Sequence, residues 1–275
     1  MPASIAASNL YRAEPTGSAR GTGVLVLAGS SGRLDVGRAD ALAAAGATAL
    51  ALRWFGGEGQ PPVPCEIELE LFVAALDLLA ADCERLAILG LSYGAEAALL
   101  TAVRDSRVST VVALAPTDVA WEGQHQHDDD PRLSKWTWRG EGVPFVPLDR
   151  EWVPALDRPA FAPLYLQSRA SAGADAVEAA RIPAETFRGT LVLVAGEDDQ
   201  VWPGAQAARR IAASRAEAGL ATHVVIDAAA GHPVVLPGET PPDLRRGYQV
   251  GGDEGAPQRL GALAWPAIRE ALHLT

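Results

Sequence analysis

RLAILGLSYGAEAALLTAV, residues 85–103, is the stretch that decides how this chain folds. Arg85–Gly90 is a short apolar run of the kind that forms a strand buried on both faces. Gly94–Val103 reads as a small-residue helix, so strand and helix are joined by one glycine-bounded turn. The same unit recurs on either side. Gly23–Ala28 (GVLVLA) is a buried strand, and Val36–Ala45 has helical spacing that stops at Gly46. Ala47–Leu52 is a strand, and Glu66–Asp82 carries Ile67, Leu71, Ala74, Ala75, Leu78 and Leu79 on one helical stripe. Val108–Ala115 is another strand. At Pro116 the rhythm breaks, and residues 117–187 hold Trp121, Trp136, Trp138 and Trp152, frequent prolines and no clear strand. Alternation resumes with strand Thr190–Ala195, helix Gly204–Ala218, strand Thr222–Asp227 and a last helix over about Gln258–Leu272.

Alternating short apolar strands and helices predict an α/β fold, a mostly parallel sheet with helices on both faces. The 275 residues are read as a single domain with an insertion at about 117–187. An irregular segment of that length is read as a lid or cap. Ligands on such sheets bind beyond the carboxyl ends of the strands, so chemistry is sought immediately after each strand.

Hydrophobic content of 48% with 21% charged residues suits a large core. A formal net charge of −11 makes nucleic acid and anionic membrane surfaces poor partners. The N-terminal MPASIAASNLYRAEPTG has neither a basic nor an apolar signal region, and no apolar run reaches the length of a membrane span. Cys65 and Cys83 lie in no CxxC or metal spacing and read as reduced thiols, so the expectation is a soluble cytoplasmic protein. Nothing in the sequence speaks to oligomeric state.

Gly90-Leu91-Ser92-Tyr93-Gly94 matches G-x-S-x-G, and it sits where that motif has chemical meaning, between a strand and a helix. Serine on such a strained turn projects its hydroxyl into the cleft, and the helix N-terminus faces the developing oxyanion. Ser92 is the candidate nucleophile. After the strand TLVLVA comes Gly196-Glu197-Asp198-Asp199-Gln200-Val201-Trp202-Pro203, which offers two carboxylates. Asp199, at G-x-x-D and followed by an apolar residue and Pro, is the preferred acid. Asp198 is the alternative, otherwise a turn-former or helix cap. After the strand THVVID, Gly231-His232-Pro233 supplies a histidine, 33 positions beyond Asp199, that can swing over the sheet edge to Ser92. His125, His127, His223 and His273 are read as surface or structural residues.

The second oxyanion donor, beside the N–H of Tyr93, is expected from Gly29-Ser30-Ser31-Gly32, with Ser30 preferred over Ser31. That loop lacks the spacing of a dinucleotide cradle and any phosphate-loop lysine. Arg33 and Arg53 follow the first two strands and are candidates for holding a substrate carboxylate or phosphate, with a plain surface role equally open. Trp202 and the insertion's tryptophans are candidates for walling an acyl pocket, or for a small core of the insertion itself. His125, His127 and Asp128–Asp130 (HQHDDD) are weighed as a metal site and read as a solvated loop instead. No metal or organic cofactor is expected.

With these residues placed, the chain resembles the C-terminal domain shared by acyl-CoA thioesterases and bile acid-CoA:amino acid N-acyltransferases, itself similar to dienelactone hydrolases. The likeness rests on AGSSG (28–32), LALRWFGGEGQP (50–61), GLSYGAE (90–96) and WRGEGVPFVPLD (138–149). ARIPAETFRGTLVLVAGEDDQVW (180–202), GH (231–232) and VGGDEGAPQRLGALAWPAIREAL (250–272) extend it to the C-terminus. The resemblance implies an α/β-hydrolase fold and Asp199 as the acid. It also implies a lean toward hydrolysis, since the family's thioesterases use Ser where its best-known acyltransferase uses Cys. Such relatives carry an N-terminal β-sandwich domain, whereas only 22 residues precede Gly23 here. The expected activity is cleavage of a small-molecule acyl thioester through an acyl-enzyme. The alternatives are a carboxylesterase or lactone hydrolase, an acyltransferase to an amine or alcohol, and a binding module without turnover.

Overall fold

A computed structural model describes the chain except residues 1–4, 20, 128–129, 242–246 and 275. The elements, in order, are β1 (Leu10–Ala13), β2 (Thr22–Leu27), α1 (Val36–Ala44), β3 (Thr48–Leu52), β4 (Ile67–Glu68), α2 (Glu70–Ala80), β5 (Arg85–Leu91), α3 (Tyr93–Ala102) and β6 (Val108–Leu114). They continue as β7 (Trp136–Trp138), β8 (Glu141–Gly142), α4 (Ala162–Ala179), β9 (Thr190–Gly196), α5 (Gly204–Glu217), β10 (His223–Asp227) and α6 (Ala256–Ala271). Seven strands form one sheet in the order β1-β3-β2-β5-β6-β9-β10, parallel throughout except for the antiparallel edge strand β1. This is the α/β architecture that the alternation predicts. Strand β1 had no signal in the sequence, because four residues that include Tyr11 and Arg12 carry neither a continuous apolar run nor a clean alternation.

Period-two side chains split the core into two layers. Leu25, Leu27, Val111, Ala113, Leu191 and Leu193 face α2, α3 and α5. Val24, Val26, Val112, Leu114, Val192 and Val194 face α1 and α6. The chain leaves β2 toward β3 and leaves the adjacent β5 toward β6, in opposite directions along the sheet. The resulting crevice opens beyond the carboxyl ends of β2 and β5, where ligands bind in open α/β sheets. No described helix is long and apolar enough to cross a membrane.

Two expectations are corrected. The helix expected from Glu66 begins at Glu70, because the N–H groups of Glu66, Ile67 and Leu69 donate to Ser134, Lys135 and Thr137 of the insertion. Tertiary pairing there overrides local helical periodicity. The insertion is also more regular than expected, since β7 and β8 join β4 in a second, three-stranded sheet and α4, broken at Gly173, follows. Trp121 and Trp136 are buried in the same core layer as α2 and α3 rather than in a core of the insertion's own.

The insertion is fastened by a charge pair. Lys135, the chain's only lysine, places Nζ 2.7 Å from Glu96 Oε2 of α3, and both side chains are 0% exposed. Glu96 Oε1 also accepts the Trp136 indole N–H at 2.7 Å and the Trp121 backbone N–H at 2.9 Å. The ammonium lies 3.4 Å from the Tyr93 ring centroid. Removing one partner strands a charge in the core, which typically costs 3–5 kcal/mol. Lys135→Ala is therefore expected to lower the unfolding free energy by about 3 kcal/mol or more in urea denaturation. A loss below about 1 kcal/mol would mean that water reaches Glu96.

Candidate active site

The elbow at Ser92 is built from steric necessity. Ser92 has φ 59° and ψ −121°, a backbone conformation that side-chain-bearing residues rarely adopt, at the junction of β5 and α3. A Cβ on Gly94 would lie 2.5 Å from the Leu27 carbonyl oxygen, and one on Gly90 would lie 2.0 Å from the Gly94 carbonyl oxygen. Both glycines of the motif are thus required by close backbone approach. Gly29, just after β2, faces Ser92 across the crevice, with space for a Cβ only 3.0 Å from the serine Cβ.

The two loops beyond β9 and β10 meet at the same edge. His232 Nδ1 lies 2.8 Å from Asp199 Oδ2, and both residues are buried. The other carboxylate oxygen accepts the backbone N–H groups of Val201 at 2.8 Å and Trp202 at 3.2 Å. Three hydrogen bonds thus hold the two oxygens, which fixes the carboxylate plane and with it the imidazole. Asp198 is different. It is exposed, and it accepts the Gly252 N–H and the Gln200 amide. Of the two aspartates left open by the sequence, Asp199 is the one joined to His232. The His232 N–H in turn donates to Val250 O at 2.7 Å, and Gly231 fits where any Cβ would strike the backbone of Val250 and Gly251. Among the described residues, no hydrogen bond links Ser92 Oγ to His232.

The other residues singled out in the sequence fall around this edge. Tyr93 opens α3, so its N–H has no acceptor within the helix. Its hydroxyl meets that of Tyr165 at 3.0 Å, and burial, with Tyr93 beside it, pushes the Tyr165 hydroxyl well above its usual range. Ser30 is exposed, and its N–H makes no backbone hydrogen bond among the described residues. Arg33 donates to Ser31 Oγ at 2.7 Å and pairs with Asp35 at 3.4 Å. Arg53 has no side-chain hydrogen bond or ion pair among the described residues, and its Nε is buried. Trp202 is 1% exposed, donates to Ala115 O at 3.0 Å, and lies against Tyr93, Tyr165 and His232. That packing holds His232 from behind and leaves almost none of the Trp202 surface free for a ligand.

His125 lies 2.9 Å from Glu122 Oε1. Asp128 and Asp129 of the HQHDDD run lie outside the described residues, and no group of three or more possible metal ligands occurs among the described ones. Burial pushes both thiols, Cys65 and Cys83, upward, so neither is poised as a thiolate. Sequence reasoning missed Glu96 and Lys135, although a solitary lysine beside two tryptophans was a visible clue.

Residues 67–242, well over half of the chain, match the family described as BAAT / acyl-CoA thioester hydrolase C terminal. The chain belongs to this family. Among solved structures, it is similar to a protein assigned as a dienelactone hydrolase from Klebsiella pneumoniae. The two share 12% identity and a TM-score of 0.55, covering 96% of this chain and 92% of that one. It is also similar to esterase 2 of Thermogutta terrifontis, solved after phosphoramylation by tabun, at 15% identity and a TM-score of 0.54, covering 95% and 88%. These likenesses establish the α/β-hydrolase fold. No curated protein matches by sequence. This member of the thioester hydrolase family should tolerate nothing larger than hydrogen as the side chain at position 94. Gly94→Ala is expected to lower the unfolding free energy by about 2 kcal/mol or more, read from the urea midpoint at unchanged m-value. A wild-type midpoint would show that β2 can retreat from α3.

Proposed function

We propose that this protein is a serine hydrolase that cleaves a small-molecule acyl thioester through an acyl-Ser92 intermediate, with His232 as base and Asp199 as its orienting acid. The observation that carries the reading is the 2.8 Å contact between His232 Nδ1 and Asp199 Oδ2 at the sheet edge that bears the Ser92 elbow. A carboxylate on Nδ1 leaves Nε2 as the lone-pair nitrogen, the form needed to take the serine proton. The catalytic contact commonly closes only when substrate binds, so its absence without ligand is compatible with this role.

In the proposed reaction His232 removes the Ser92 proton as Oγ attacks the acyl carbonyl. The Tyr93 N–H, at the positive end of α3, and the Ser30 N–H stabilise the oxyanion. The C–S bond breaks, and the leaving thiolate takes the proton from His232. Water, deprotonated by the same imidazole, then attacks the ester, and the acid departs as Ser92 is reprotonated. Every step uses groups of this chain and water. Membership in the thioester hydrolase family favours sulfur over oxygen in the leaving group. We further read residues 117–187 as a cap inserted into one domain, and the two free, half-buried cysteines as fitting a reducing compartment such as the cytoplasm.

The test is thiol release from a panel of acyl-CoAs beside nitrophenol release from p-nitrophenyl esters. Ser92→Ala is expected to abolish thiol release by roughly four orders of magnitude or more. Turnover of the oxygen esters alone would replace the thioesterase reading with an esterase. Within the same assay Asp199→Asn is expected to lower kcat by roughly 10²–10⁴-fold, while Asp198→Asn stays within about threefold of wild type. The reverse ranking would assign the acid to Asp198.

A further inference from the structure

The loop that follows His232 is held by a buried charge that the reaction itself does not use. Arg38 of α1 is 1% exposed. Its Nη2 donates to Val234 O at 2.8 Å, two residues beyond His232, and to Glu239 Oε1 at 2.9 Å, while Nε lies 3.1 Å from Glu239 Oε2. Glu239 Oε2 also accepts the Leu236 N–H at 2.9 Å. One guanidinium thus ties the start of the 232–240 loop to its end, in a forked geometry that lysine does not offer.

The cluster continues away from this loop. Arg38 Nη1 lies 3.1 Å from Asp35 Oδ2, and Arg33 Nη2 lies 3.4 Å from the same oxygen. Arg33 Nη1 donates to Ser31 Oγ. Two cations and two anions, with Asp35 and Glu239 both buried, therefore run from the loop after β2 to the loop after β10. Burial disfavours the Arg38 charge, and the two carboxylates more than offset this.

Packing holds the loop elsewhere, where Gly37 meets Thr240 O and Gly261 meets Val235 O with no room for a Cβ, but it leaves a gap beside the cluster. A cavity of about 220 Å³ lined by Arg33, Arg38, Leu91, Pro233, Val235 and Pro257 lies against the cluster. Leu91 and Pro233 are the immediate neighbours of Ser92 and His232, so a shift of the loop toward this cavity would be costly to catalysis. A misplacement of about 1 Å can cost on the order of 10²-fold in rate.

We propose that Arg38 is a positioning residue that holds His232 in register with Ser92, and that Asp35 and Arg33 couple this hold to the loop carrying Ser30 and Ser31. The proposal rests on the serine hydrolase reading. The experiment measures kcat, KM and the second-order rate of Ser92 labelling by a fluorophosphonate in Arg38→Met, Arg38→Lys and the milder Glu239→Gln, each confirmed folded by near-ultraviolet circular dichroism. Expected is a fall in kcat of roughly 10–10²-fold in Arg38→Met, with KM within about twofold and labelling slowed in parallel. Arg38→Lys should recover only part of the loss, and millimolar guanidinium should raise the labelling rate of Arg38→Ala several-fold. Arg33→Met and Arg38→Met together should cost less than the product of the two single losses.

Lowered thermal stability with unchanged kcat and labelling in Glu239→Gln and Arg38→Met would overturn the positioning role. Multiplicative losses in the double variant would overturn the coupling to the Ser30 loop. If wild-type Ser92 takes no label and Ser92→Ala keeps full turnover, the serine hydrolase reading itself fails. That result is distinct from Ser92-dependent turnover that ignores Arg38.

Discussion

The contact on which this site depends is the approach of α3 to the end of β2. Gly94 rests against the carbonyl oxygens of Leu27 and Ala28 so closely that no Cβ fits. That approach forces the tight turn at Ser92, and the turn forces its positive φ. It also brings Gly29 against Ser92, which places the loop after β2 across from the hydroxyl. The strain at Ser92 is affordable because β5 is flanked by paired strands on both sides and every residue of α3 is buried. A less constrained strand would relax the turn and lower the serine into the sheet.

Around that fixed point three further elements are locked by different physics. Asp199 is locked by hydrogen bonds, since it uses one oxygen for two backbone N–H groups and the other for His232. His232 is locked by packing against Trp202 and by its backbone N–H to Val250 O. The insertion is locked by charge, through Lys135 and Glu96, with Tyr93 and Tyr165 adding a hydroxyl contact beside them. Glu96 and Tyr93 both belong to α3, so the insertion is docked on the same helix that presents the serine.

Legibility in the sequence followed distance along the chain. Ser92, Asp199 and His232 each follow a strand and each carries a local signature, so a reading of neighbouring residues singles them out as candidates. Which of Asp198 and Asp199 meets His232 is visible only in the fold, because both sit on one turn and only the direction of the side chain separates them. Glu96 and Lys135 are 39 positions apart, and Arg38 and Glu239 are 201 apart. No periodicity links such partners, and a buried arginine looks in sequence like any surface arginine. The missed start of α2 has the same origin, since Ile67 is claimed by Trp136 across the second sheet. Where pairing is remote, tertiary contacts outweigh local preference.

The docking of the insertion also sets the cost of lifting it from α3. Lifting it from α3 would expose Trp121 and Trp136 and separate two charges that have no exposure to water in the folded state. Separating a buried pair leaves each ion desolvated until water enters, which makes that motion the expensive one. The stretch Trp152–Arg158 carries no such constraint. Val153 and Leu156 are 78% and 58% exposed, and among the described residues Arg158 hydrogen-bonds to Tyr248 O and Gln249. Local opening is drawn from segments with few buried contacts and exposed hydrogen bonds. The charge pair beneath α3 therefore holds the part of the insertion that carries Trp121 and Trp136, whereas the outer stretch is tied through Tyr248 and Gln249 to the segment whose Val250 O accepts the His232 N–H.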